Sequence, residues 1–246
     1  LQRNLGHGNF GRVDLMKAKD DGNFYAVKEI NTSKMKDNYD LLKSLVRETT
    51  ILNKLMEINC ENIINIHEYF SENDYLYLVL EYVNGCNLEN YIKNQEKKPQ
   101  PNNFKEEEVI NVMNQVLIGV IKIHEAKIIH RDIKPDNILL FPKTRLVKIT
   151  DFGLSAFTEK VEWMDPNNYS ILMYHVSSVG PVKFVGNEVI KQIGYNEKND
   201  INCLGFTMFN MMTFDLPYIT DKTNNFARSN SKTIANEKIY DKILIE

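Results

Sequence analysis

Apolar and polar positions alternate over RVDLM (12–16) and again over FYAVKEI (24–30), with the turn-forming cluster DDGN (20–23) between them. A β-hairpin is predicted. Leu41, Leu45, Leu52 and Leu55 then recur at helical spacing, which predicts a helix over roughly 38–57 with one apolar stripe. NIINIHEYF (62–70) and YLYLVLEY (75–82), split by the polar SEND, read as a second strand pair. After residue 84 the pattern changes. EEEVINVMNQVLIGVIKIHEA (106–126) and INCLGFTMFNMM (201–212) are apolar nearly all round, as helices inside a lobe are, and QEKKPQPNN (95–103) is a Pro-broken loop. The expected architecture is α+β with two lobes. A small β-rich lobe and its connector occupy 1–83, and a larger helical lobe occupies 84–246.

Composition narrows this picture. At 246 residues and 43% hydrophobic content the chain can bury a substantial core. No apolar run approaches the roughly 18 residues that span a bilayer, and the first residues carry no secretory signal pattern. An intracellular, cytoplasmic protein without a membrane segment is expected. A formal charge of −3 argues against a nucleic-acid partner. Cys60, Cys86 and Cys203 lack CxxC spacing, so they read as free thiols rather than a disulfide framework or a zinc site. The first residue is Leu1, a few positions before the first motif, so a fragment of a longer protein is expected, with regulatory regions outside it.

Chemistry enters at four places. GHGNFG (6–11) is a GxGxxG, but the residues after Gly11 alternate and turn as a strand does. That context disfavours a dinucleotide-binding βαβ unit and a metabolic enzyme built on it, and favours a glycine turn whose backbone N–H groups can approach phosphate. Lys28 lies on the strand face shared with Ala26, and Glu48 falls within the leucine stripe of the following helix. A carboxylate there needs a cation, and Lys28 is the candidate. HRDIKPDN (130–137) crowds six polar or charged residues between the apolar runs AKII and ILLF. RLVKITDFGLS (145–155) is a short strand that ends in Asp151, which with Asn137 offers the oxygen ligands that Mg²⁺ prefers beside phosphates.

Taken together, GxGxxGxV, AVK, the helix Glu, HRDxKxxN and DFG, in this order and at these separations, resemble the eukaryotic protein kinases from Leu5 to about Tyr218. The resemblance implies that Gly6, Gly8 and Gly11 cover the phosphates of ATP. Lys28, paired with Glu48, would hold the α- and β-phosphates, and Asp132 would accept the substrate hydroxyl proton. Asn137 and Asp151 would hold Mg²⁺. Leu5 would join Val13, Ala26 and Leu139 around the adenine, with Leu80 as gatekeeper and Glu81 to Val83 as hinge. Lys134, two residues after Asp132, resembles the serine/threonine class, so protein Ser/Thr hydroxyls are the implied substrates. Within that class KEINTSKM (28–35) and HRDIKPDN are most similar to the NIMA-related kinases, although calcium-regulated kinases carry comparable stretches.

Two departures bear on activity. Where the family has GTxxYxAPE, this chain has GPVKFVGNE (180–188), so the threonine that bonds to the catalytic Asp and Lys is Pro181, which has no hydroxyl. DINCLG (200–205) replaces DxWSxG, which keeps Asp200 as an expected anchor of the catalytic loop. The alternative reading is therefore a pseudokinase-like scaffold that binds nucleotide and docks peptide weakly. By the same resemblance an activating phosphosite lies a fixed distance before Glu188, at Ser177 or its neighbour Ser178. Arg131 would be suited to grip the phosphate.

Overall fold

The computed structural model describes residues 3–8, 11–33, 39–98, 104–141, 143–158, 162–164, 170–172 and 196–215. Strands β1 (Arg3–Gly8), β2 (Gly11–Lys17), β3 (Phe24–Asn31), β4 (Ile66–Glu72) and β5 (Tyr75–Glu81) form an antiparallel sheet in the order β1-β2-β3-β5-β4. Leu76 and Leu78 of β5 share a face with their register partners Ile30 and Lys28 of β3. Helix α1 (Tyr39–Ile58) buries Leu45, Ile51, Leu52 and Leu55 in the same core. The side chain of Leu41 lies outside the described residues.

The strand expected over 62–70 begins only at Ile66. Residues 62–65 instead cross toward the second lobe: Ile63 forms a parallel bridge with Ile149, Ile64 N–H donates to Ile149 O (2.9 Å), and Ile149 N–H donates to Asn62 O (2.9 Å). An apolar run satisfies a strand and a buried tether equally, so periodicity alone could not separate them.

The second lobe comprises β6 (Cys86–Asn87), α2 (Leu88–Glu96), α3 (Glu106–Glu125), β7 (Ile128–Ile129), a 3₁₀ turn (Pro135–Asn137), β8 (Ile138–Leu140), β9 (Val147–Ile149), β10 (Ala156–Phe157), β11 (Glu162–Met164), β12 (Ser170–Leu172) and α4 (Glu197–Thr213). Local signals set the helix starts. Asn87 caps α2 by accepting from Asn90 N–H, and Asn196 and Asn199 form a reciprocal box at the start of α4. The antiparallel β6-β8-β9 sheet lies directly after the connector and carries the loop between β7 and β8.

Helix α3 buries Val109, Val112, Val116, Val120 and Ile123, and approaches β9 closely through Gly119. A Cβ at that position would sit 2.8 Å from Ile149 Cδ1 and 3.0 Å from Asn62 O. The helices expected to be covered all round are covered on one side: among the described residues Ile118 and Ile121 of α3 and Met208 and Met212 of α4 are exposed. Among those residues no helix is long and apolar enough to cross a membrane.

Candidate active site

Between the lobes lies a cleft of about 480 Å³, a volume within the usual range for small-molecule sites. Its upper wall is built by Leu5, Gly6, Val13, Ala26 and Lys28, and its back and connector side by Leu80, Glu81 and Val83. Leu139 and Asp151 close it from below. Tyr82, inside the expected hinge from Glu81 to Val83, also lines it, as do Cys86 and Asp136, to which the sequence assigned no role in binding. Cys86 reaches the cleft through the turn into α2, and Asp136 through the 3₁₀ turn within HRDIKPDN.

Gly8 and Gly11 pair across the β1–β2 hairpin. Gly11 is glycine for a reason the motif did not disclose: a Cβ there would lie 1.9 Å from Glu29 O of the neighbouring strand. The close approach of β2 to β3 requires the missing side chain.

Lys28 donates to Glu48 Oε1 at 2.5 Å, and both residues are buried. The alternation of β3 turns Lys28 toward α1, where the leucine stripe positions Glu48 to meet it. Lys28 Nζ also lies 3.8 Å from Asp151 Oδ1, so the pair reaches across the cleft to the opposite lobe. Asp151 adopts φ 64°, a left-handed conformation unusual for a residue with a side chain. Its Oδ1 is buried without a hydrogen-bond partner, which fits an oxygen that would bind a hard cation.

The stretch 130–137 is held rigidly. Asp132 is buried, with Oδ1 and Oδ2 accepting from Lys134 Nζ at 3.0 and 2.8 Å, and Oδ2 also accepting from Asn137 Nδ2 at 2.7 Å. Asn137 Nδ2 further donates to Asp132 O (2.9 Å), so the amide nitrogen is committed and the amide oxygen is the atom available to a metal. Pro135 opens the 3₁₀ turn that brings Asn137 back under Asp132. His130 Nδ1 accepts from Asp132 N–H (3.2 Å), which puts the proton on Nε2, where it donates to Thr150 O (3.1 Å). The His130 ring meets the edge of Phe152 at 4.9 Å and thereby ties the loop to the residue after Asp151.

Asp200 is fully buried at the start of α4 and supports the loop from beneath. Its Oδ2 accepts from His130 N–H (2.8 Å) and contacts His124 Nε2 (2.9 Å), and its Oδ1 accepts from Arg131 N–H (2.9 Å). The expectation of an anchor rather than a reacting group agrees with this geometry. Asp200→Ala leaves two buried N–H groups without acceptors, and each such loss costs about 1–3 kcal/mol. A fall in unfolding free energy of at least about 2 kcal/mol is expected, read as a lowered urea midpoint.

Arg131 has φ 66° and is buried, with Nε donating to Leu154 O at 2.6 Å. Ser177, Ser178, Pro181 and Glu188 lie outside the described residues.

Two lobes around a nucleotide-sized cleft, lined by a buried lysine–glutamate pair on one side and by Asp151 on the other, define a phosphotransferase-like domain. The sequence model of the family described as "protein kinase domain" matches residues 1–244. The chain belongs to the protein kinase family. It is 33% identical over 217 residues to calcium-dependent protein kinase 4 of Plasmodium berghei (strain Anka), covering 87% of this chain and 37% of that protein. With the probable serine/threonine-protein kinase fhkC of Dictyostelium discoideum it shares 34% over 230 residues, covering 92% of this chain and 35% of the relative. With the serine/threonine-protein kinase Nek1 of Mus musculus it shares 30% over 209 residues, 85% of this chain and 16% of the relative. The chain thus spans little more than a third of the length of the first two relatives and a smaller share of the third. The NIMA-like resemblance read from KEINTSKM is met by the similarity to Nek1, and the comparable calcium-regulated stretches by that to calcium-dependent protein kinase 4.

Proposed function

We propose that this domain transfers the γ-phosphoryl group of MgATP to serine and threonine hydroxyls of protein substrates. The observation that carries this reading is Asp132, buried and held by Lys134 and Asn137 in the loop whose Asp136 lines the same cleft as Lys28 and Glu48. Leu5, Val13, Ala26 and Leu139 would enclose the adenine, Leu80 would limit its depth, and the backbone from Glu81 to Val83 would read its edge. Gly6, Gly8 and Gly11 would let the β1–β2 turn lie over the phosphates. Lys28, oriented by Glu48, would hold the α- and β-phosphates.

Asn137 and Asp151 would hold Mg²⁺, which when bound neutralises phosphate charge. The remaining work falls to the chain. Asp132 would orient the incoming hydroxyl and take its proton as the new O–P bond forms and the bond to the ADP oxygen breaks. Lys134, beside Asp132, would stabilise charge on the transferring group. The residues divide after Val83 into an upper and a lower lobe on this reading, and phosphorylation at Ser177 or Ser178 would regulate turnover. An intracellular, cytoplasmic setting fits an ATP-dependent reaction.

The reading is tested by thermal unfolding with nucleotide. MgATP at a hundredfold excess over Kd is expected to stabilise the domain by about 2.7 kcal/mol. Chelation of the metal with EDTA should remove most of that gain. An equal shift with and without Mg²⁺ would remove Asn137 and Asp151 as metal holders, and no shift in either case would remove the nucleotide site.

A further inference from the structure

Lys148 is a buried charge that the reaction above does not use. It sits in the middle of β9, 7% exposed, and its Nζ lies 2.8 Å from Glu81 Oε1. Glu81 Oε1 also accepts from Asn65 N–H (2.7 Å), and Glu81 N–H donates to Asn65 O (2.9 Å). Asn65 follows Ile64, whose N–H donates to Ile149 O. The contacts form a closed ring, Glu81 to Asn65, through Ile64 to Ile149, and back through Lys148 to Glu81.

One side of this ring is the connector at the adenine end of the cleft. The other is the strand that delivers Asp151, two residues beyond Ile149, to the phosphate end. An aliphatic side chain at 148 would fill a buried strand position without desolvating an ammonium, so the charge is not explained by packing. The pair instead fixes one edge of the cleft against the other. We propose that Lys148, through Glu81, is a positioning residue that holds the adenine edge in register with Asp151, so that a ligand spanning both ends is bound without distortion.

This rests on the cleft being the ATP site, and the consequence is a split between ligands. Adenosine engages the connector edge alone, whereas MgATP engages both. Lys148→Met is expected to weaken MgATP binding about tenfold, within the usual range for coupling between sites, while adenosine binding stays unchanged. Lys148→Arg, which keeps the charge and its donors, should restore MgATP affinity. Glu81→Gln, which keeps an acceptor for Asn65 N–H but removes the charge, should weaken MgATP binding as Lys148→Met does. Isothermal titration of the wild type and the three variants with MgATP and with adenosine reads this directly. A parallel loss of both ligands, or no loss of either, would overturn the inference while leaving the nucleotide site in place. A wild-type domain that binds neither ligand would overturn both.

Discussion

Asp132→Asn is expected to lower phosphorylation of a serine/threonine peptide by at least about a hundredfold, the lower end of what a positioned general base contributes. MgATP affinity should be preserved. Asparagine matches aspartate in shape and keeps one oxygen, which at the Oδ2 position can still accept from both Lys134 Nζ and Asn137 Nδ2. The loop therefore keeps these two bonds, gives up the one that Oδ1 accepts from Lys134 Nζ, and loses the carboxylate proposed to take the proton. Steady-state turnover with a peptide, alongside titration with MgATP, checks both halves. Wild-type turnover in this variant would remove Asp132 from the chemistry.

The largest combined effect on binding and stability is expected at Lys28. Lys28→Met leaves Glu48 buried at 3% exposure, with the cation that Oε1 met at 2.5 Å removed and Oε2 already without a hydrogen-bond partner. Breaking one side of a buried pair costs about 3–5 kcal/mol, so the urea midpoint should fall steeply and the stabilisation by MgATP should disappear. Replacing both partners separates the two losses. Lys28→Met with Glu48→Leu removes the stranded charge and should recover most of the stability, because an apolar pair of similar volume is often neutral or stabilising in such a site. MgATP stabilisation should stay absent. Recovery of nucleotide binding in the double variant would show that Lys28 serves packing and not phosphate.

Where chemistry dictates spacing, the chain was legible. HRDIKPDN packs an aspartate, a lysine and an asparagine amide into one turn, and the hydrogen bonds joining Asp132, Lys134 and Asn137 follow that order. Alternation disclosed the β2–β3 hairpin, and a carboxylate on a leucine stripe disclosed the partnership of Glu48 with Lys28. The parts that stayed hidden depend on contacts between distant segments. Lys148 in a strand reads as a lysine whose head reaches solvent, and nothing in its neighbours names Glu81 as its partner. Residues 62–65 have the composition of a strand, yet Asn62, Ile64 and Asn65 bond through their backbone to Ile149 and Glu81, and Ile63 N–H donates to Cys60 O. Gly11 looked like phosphate chemistry alone, whereas Glu29 O occupies the space its side chain would need. The open faces of α3 and α4 could not be read from sequence either, since an all-apolar helix does not state which side is covered.

The reaction proposed for the cleft is phosphoryl transfer. Its most direct measurement is incubation of the wild-type domain with MgATP labelled at the γ-phosphorus and an array of serine-, threonine- and tyrosine-containing peptides, followed by mass spectrometry of the labelled products. Label on serine or threonine side chains, lost in Asp132→Asn and on chelation of the metal, is the predicted result. Binding of MgATP with no label transferred to any peptide or to the domain itself would contradict the claim and leave a nucleotide-binding scaffold in its place.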